Sequence, residues 1–78
     1  MIRLYFGKNL PKFLQMACRC SEAVWLMHAD GSREDVRKPD TQAQLLRQFH
    51  KNGDWLRLTL DIRDPKDYNR LVLFAVLE

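Results

Sequence analysis

Cys18 and Cys20 in "ACRC", His28 just before Asp30-Gly31, His50 in "RQFHKNG", and Ser21 and Ser32 are the side chains here with the chemistry to hold a metal or attack a substrate. Their spacing argues against both. Cys-x-Cys on a helix sets its thiols about 200° apart around the axis, so one ion cannot take both while the helix continues. Zinc motifs place two or more residues between paired ligands, and redox pairs are Cys-x-x-Cys. Neither a metal nor any other cofactor is expected. One thiol should pack in the core and the other lie at a helix end, with Arg19 solvated between them.

Catalysis fares little better. The chain has no Gly-x-Ser-x-Gly, no His-Glu-x-x-His and no glycine-rich phosphate loop. His28, beside a turn, reads as a satisfied or half-exposed histidine. His50 falls in the last turn of a helix, where positive charge is favoured by the helix dipole. A small basic ribonuclease built from His50, Lys51 and Arg57 is the enzyme alternative, because such chemistry needs only a base and cations for phosphate. No motif demands it, and a non-catalytic protein is the expectation.

The elements that would position these groups follow from periodicity. "MIRLYF" alternates, with Ile2, Leu4 and Phe6 opposed to Arg3 and Tyr5, the pattern of a half-buried strand. From Asn9 to about residue 20, Leu10, Phe13, Leu14 and Ala17 follow helical spacing, with Asn9 as the expected cap and Pro11 tolerated in the first turn. Asp30-Gly31 joins a hydrophobic arm, Ala23 to Ala29, to a charged one, Ser32 to Lys38, which suits a hairpin with a guarded sheet edge. Pro39 stops that arm. A second helix should begin at Thr41, whose spacing to Gln44 signals a capping box, and end at Asn52-Gly53.

"DWLRLTLDIRD" then alternates cleanly, and after "PKDYN" comes "RLVLFAVLE", apolar throughout. Taken as the two arms of a hairpin, they give the order β-α-β-β-α-β-β. This contains the split β-α-β-β-α-β unit of ferredoxin-like domains, with an extra C-terminal strand. The expected class is α+β: a two-layer sandwich with two helices on one face of an antiparallel sheet of about five strands, a single domain over residues 1–78.

Bulk composition sets the outer bounds. Seventy-eight residues hide only about 60% of the unfolded chain's surface. With 46% hydrophobic and 29% charged residues the chain is globular in composition, and 13 Lys and Arg against 10 Asp and Glu give a net +3 and a mixed surface. No apolar run reaches the roughly 18 residues of a membrane span, and the N-terminus lacks a signal peptide's apolar region. A cytoplasmic protein with free thiols, and no membrane partner, is expected.

The clean alternation of residues 55 to 63 puts Trp55, Arg57, Thr59, Asp61 and Arg63 on the sheet face away from the helices, beside Arg3 and Tyr5. In the last strand one apolar set, Val72, Phe74 and Val76 or Leu71, Leu73, Ala75 and Leu77, would share that face. Such an oily patch, with Arg3, Tyr5, Trp25, Trp55, Arg57, Arg63 and Phe74 as its contact residues, marks an interface. The expected function is a small protein-binding module of the inhibitor or adaptor type, the kind by which phages and mobile elements block host machinery. Its partner would be another protein or a second copy, as a homodimer. A single-stranded nucleic-acid-binding domain is the alternative, stacking bases on Tyr5, Trp25 or Trp55, although Asp61 would repel phosphate and the glycine-aromatic signature of RNA-recognition sheets is missing.

Overall fold

The computed structural model describes residues 1–77, without the side chain of Leu77. The elements run β1 (Ile2–Phe6), α1 (Leu10–Cys18), β2 (Val24–Met27), β3 (Arg33–Asp35), α2 (Pro39–Lys51), β4 (Leu56–Ile62) and α3 (Pro65–Leu77). It is an α+β fold with a four-stranded antiparallel sheet in the order β1-β4-β2-β3. Because β1 and β2 are each antiparallel to β4, they are parallel to one another, and α1 carries the chain across β4 between them. By the same logic α2 links β3 to β4 across β2.

The last segment departs from expectation. Instead of a fifth strand it forms α3, and the ferredoxin-like arrangement expected from the element order extends no further than that order. The cause is local. Asp64 stands at the N-cap position, its carbonyl accepting from the Tyr68 N–H at 2.8 Å and its carboxylate from the Asp67 N–H at 3.4 Å. Pro65 opens the helix, where its missing N–H costs nothing, and Asp67 puts negative charge in the first turn. Leu71 is fully buried, with Phe74 and Ala75 packed partly against the core at helical spacing. Leu73 and Val76 point to solvent, 57% and 69% exposed. The apolar run is therefore a helix that is oily around much of its circumference, and its buried and half-buried residues pack with the core.

The helix starts also differ in detail. Asn9 holds the N-cap position of α1 as expected, but its Oδ1 turns back to accept from the Gly7 N–H at 3.0 Å and makes no side-chain cap bond. In α2 Pro39 occupies the first turn and Lys38 the cap position, which leaves Thr41 buried inside the helix and the Thr41-Gln44 capping box unformed. The proline's fixed φ, already helical, wins over the weaker cap signal two residues later.

The remaining elements match their sequence cues. Gly31 takes φ 89° at the hairpin, and Asp30 Oδ1 accepts from both the N–H and the Oγ of Ser32. The charged arm β3 is an edge strand. Gly53 at φ 72° ends α2, with the Asp54 N–H returning to the Phe49 carbonyl. All three helices feed one core: Leu10, Phe13 and Leu14 from α1, Leu45 and Phe49 from α2, and Leu71 from α3 meet Leu4, Phe6, Val24, Leu26, Leu58 and Leu60 of the sheet. Among the described residues no helix is long and apolar enough to cross a membrane.

Candidate functional site: the open sheet face

Antiparallel register decides which side chains become neighbours, since residues directly opposite share a face. Tyr5 lies opposite Arg57 and Arg3 opposite Thr59 across β1 and β4. Trp25 lies between Asp61 on β4 and Asp35 on β3, and Met27 lies opposite Arg33. None of these residues is buried. Trp55, one residue before β4, stacks on Tyr5 with ring centroids 6.3 Å apart and planes inclined by 25°. Its position is set from behind, where Asn52 Nδ2 donates to the Trp55 carbonyl at 3.1 Å and Asp54 takes φ 62°. Tyr5 is 61% exposed and Trp55 48%.

The face thus gathers Arg3, Tyr5, Trp25, Trp55 and Arg57, and Arg63 follows β4 at its end, its Nε 3.4 Å from Asp61. Phe74 does not belong with them: it sits on α3, partly buried against the core. With the expected strand goes the expected oily patch. What remains is aromatic and cationic. Sequence reasoning missed Arg33, whose guanidinium lies 4.3 Å over the Trp25 ring, because it assigned the charged arm only to edge protection.

The face divides by how its charges are used. On the β2–β3 side Arg37 clamps Asp35 with Nε and Nη2 at 3.0 to 3.2 Å while its own main-chain N–H is a third donor at 3.0 Å. That clamp holds the Asp35 carboxyl below the ordinary aspartate range. Arg63 neutralises Asp61 at 3.4 Å. On the β1–β4 side, Arg3 and Arg57 have no carboxylate partner among the described residues.

Between β4 and the β2–β3 hairpin opens a cavity of about 540 Å³. Leu26, Leu45, Leu56 and Leu58 supply apolar walls, and Arg3 and Arg57 lie at its margin. The groups weighed for chemistry do not converge on it. His28 lines the cavity but is tied to Glu34, whereas His50 and Lys51 do not line it, and His50 Nδ1 faces Asp54 Oδ1 at 3.1 Å.

The thiols lie elsewhere. Cys20 is buried beyond the end of α1, its Sγ donating to the Met16 carbonyl at 3.7 Å, and burial pushes its thiol pKa up. Cys18 is exposed and receives Gln42 Nε2 at 2.9 Å. Arg70 bridges from Asp67 to Cys20, leaving Asp67 Oδ2 buried without a partner. Among the described residues no group of three or more His, Cys, Asp or Glu side chains gathers to hold a metal ion.

Comparison with models of protein families, with curated proteins and with solved structures finds no match to the chain, so its function has to be read from the geometry of this face.

Proposed function

We propose that the protein is a non-catalytic binding module of the inhibitor or adaptor kind, and that it binds another protein through the β1–β4 side of its open sheet face. One observation carries this: Trp55 and Tyr5, both well exposed, are already stacked on one another beside Arg57, which forms no ion pair among the described residues. Trp, Tyr and Arg carry a disproportionate share of interface energy, and a pre-stacked pair loses little side-chain freedom on docking. The adjoining apolar-walled cavity gives a partner's side chain somewhere to go.

Magnitude weighs against nucleic acid as the first choice. Arg3 and Arg57 offer about two phosphate contacts, and each is worth a salt slope of only about 0.7 on a single strand. The nucleic-acid reading is kept second by one detail, since Asp61, the acid expected to repel phosphate, is paired with Arg63.

The test is capture of partners from lysate with and without nuclease, followed by titration of the captured partner against Trp55→Ala and Arg57→Glu. Retention after nuclease, with association weakened about thirtyfold by Trp55→Ala, a loss of roughly 2 kcal/mol, is expected. Sedimentation of the isolated protein separates a second copy from a foreign partner. Loss of every partner on nuclease treatment, with a salt-dependent affinity, transfers the face to nucleic acid. Unchanged association of both variants removes it from consideration.

A further inference from the structure

The cavity beside β4 has a feature that side chains alone do not reveal. The Val36 N–H bonds the Val24 carbonyl and the His28 N–H bonds the Ser32 carbonyl, so the even-numbered residues of β2 turn their main chain toward β3. The odd-numbered ones turn toward β4, where Trp25 stands opposite Asp61. It follows that residues 57, 59 and 61 of β4 present their N–H and C=O groups to the β2 side. Pairing of β2 with β4 stops at Leu26 opposite Leu60, whereas pairing of β1 with β4 runs on to Leu56 opposite Phe6. Arg57 is therefore a strand residue with a neighbour on one side only, and on the other side its main chain faces the 540 Å³ cavity.

We propose that this cavity is a binding site for an apolar carboxylate, with Arg57 as its main polar contact. The walls, Leu26, Leu45, Leu56 and Leu58, suit a hydrocarbon body, and the volume lies within the range of small-molecule sites. Among the described residues Arg57 has a main-chain N–H without a strand partner and a guanidinium without an ion pair, and Arg3 adds a second guanidinium. Among the described residues no Asp or Glu lines the cavity, so an anion meets no like charge from them and a cation meets two guanidinium groups. A bare hydrocarbon would leave the Arg57 N–H unanswered, and a buried polar group without a partner costs more than a typical hydrogen bond contributes. A carboxylate answers that N–H, though not the Arg57 carbonyl that faces the same way.

The same chemistry reaches the cavity as a free acid or as the end of a peptide chain, and probes separate the two. Amide chemical shifts of the full-length protein are followed during titration with octanoate, 1-octanol, octylammonium and the free acid of N-acetyl-Val-Leu. Expected are saturable one-site shifts centred on Leu26, Arg57 and Leu58 for the two carboxylates, with octanol and octylammonium at least about tenfold weaker. Tighter binding of octanoate assigns a free acid and tighter binding of the peptide assigns a chain end; either supports the site. Arg57→Gln should weaken octanoate about tenfold and leave octanol unchanged. Ala29→Phe, which puts a ring into the cavity wall from the exposed turn, should abolish binding of both carboxylates while the fold persists. Shifts that do not saturate, octanol binding as tightly as octanoate, or octanoate binding untouched by Arg57→Gln would each overturn the proposal.

Discussion

The two sides of the open face hold similar residue types and use them in opposite ways. On the β2–β3 side Trp25 lies under Arg33, Asp35 is clamped by Arg37, and Asp61 is matched by Arg63. On the β1–β4 side, among the described residues, Trp55 and Tyr5 touch only each other among aromatic rings, and Arg3 and Arg57 form no ion pair. An arginine already answered by an internal acid has little left for a partner, whereas an unanswered one retains its donors. The difference separates surface that holds the sheet together from surface that is available. The proposed contact region is placed on the available side for that reason.

The largest effect that tests this contrast is on stability. Trp25→Ala removes a half-buried indole, its cation–π contact with Arg33 and the cover between two carboxylates, at an expected cost of about 2 to 3 kcal/mol. In a chain of this size that lowers the melting temperature by on the order of 10 °C. Trp55→Ala, at the other end of the face, should cost less than about 1 kcal/mol, because an outward ring leaves no core cavity. Thermal melts of the two variants side by side measure the contrast. Equal losses would erase it.

A smaller effect concerns acid. The Asp35 carboxyl is only 11% exposed, and Arg37 holds it below its ordinary value of 3.8. A depressed folded-state pKa stabilises the protein at every pH above the unfolded value, and this contribution fades as pH falls from about 4 through the folded value. Asp35→Asn should therefore cost about 1 to 2 kcal/mol at pH 7, after allowing for the part of the Arg37 side chain left in water. The difference between variant and parent should shrink toward pH 2. Urea titrations at the two pH values give both numbers, and a difference that does not depend on pH would mean that the Arg37 clamp is not what holds Asp35.

These contrasts were partly legible in the residues themselves. Alternation in "MIRLYF" and "DWLRLTLDIRD" assigns both strands and their faces, because one face is buried and period two is then obligatory. The hairpin at Asp30-Gly31 and the edge position of its charged arm follow from turn chemistry and charge in the same way. The last element was misassigned for an identifiable reason. "RLVLFAVL" is apolar enough to pass for a doubly buried strand, and periodicity cannot separate that from a helix in contact with a core. Two signals pointed the other way: Asp64-Pro65-Lys66-Asp67 is a helix start, and Asp67, Leu71, Phe74 and Ala75 fall at helical spacing. With the strand went Phe74 and the oily patch. Register was not legible at all, since which residue of β4 meets Tyr5 or Trp25 depends on the order β1-β4-β2-β3, which is set by how the helices pack across the sheet. The Arg33–Trp25 contact and the end of pairing beside Arg57 are consequences of that order.

The smallest expected effect is the most discriminating for the available side of the face. Tyr5 opposite Arg57 and Arg3 opposite Thr59 make Arg3 and Arg57 diagonal neighbours on adjacent strands. Two like charges at the roughly 7 Å of a diagonal pair repel by about 0.6 kcal/mol in water, and physiological salt reduces this to a few tenths. Neither forms an ion pair among the described residues. Arg57→Gln should therefore leave the melting temperature within a few degrees of the parent, with any shift upward and larger at low ionic strength. Melts at low and at physiological salt suffice to check it. A loss of more than about 1 kcal/mol would mean that the Arg57 side chain is holding the sheet together, as its counterparts beside Trp25 do, and is not free to meet a ligand or a partner.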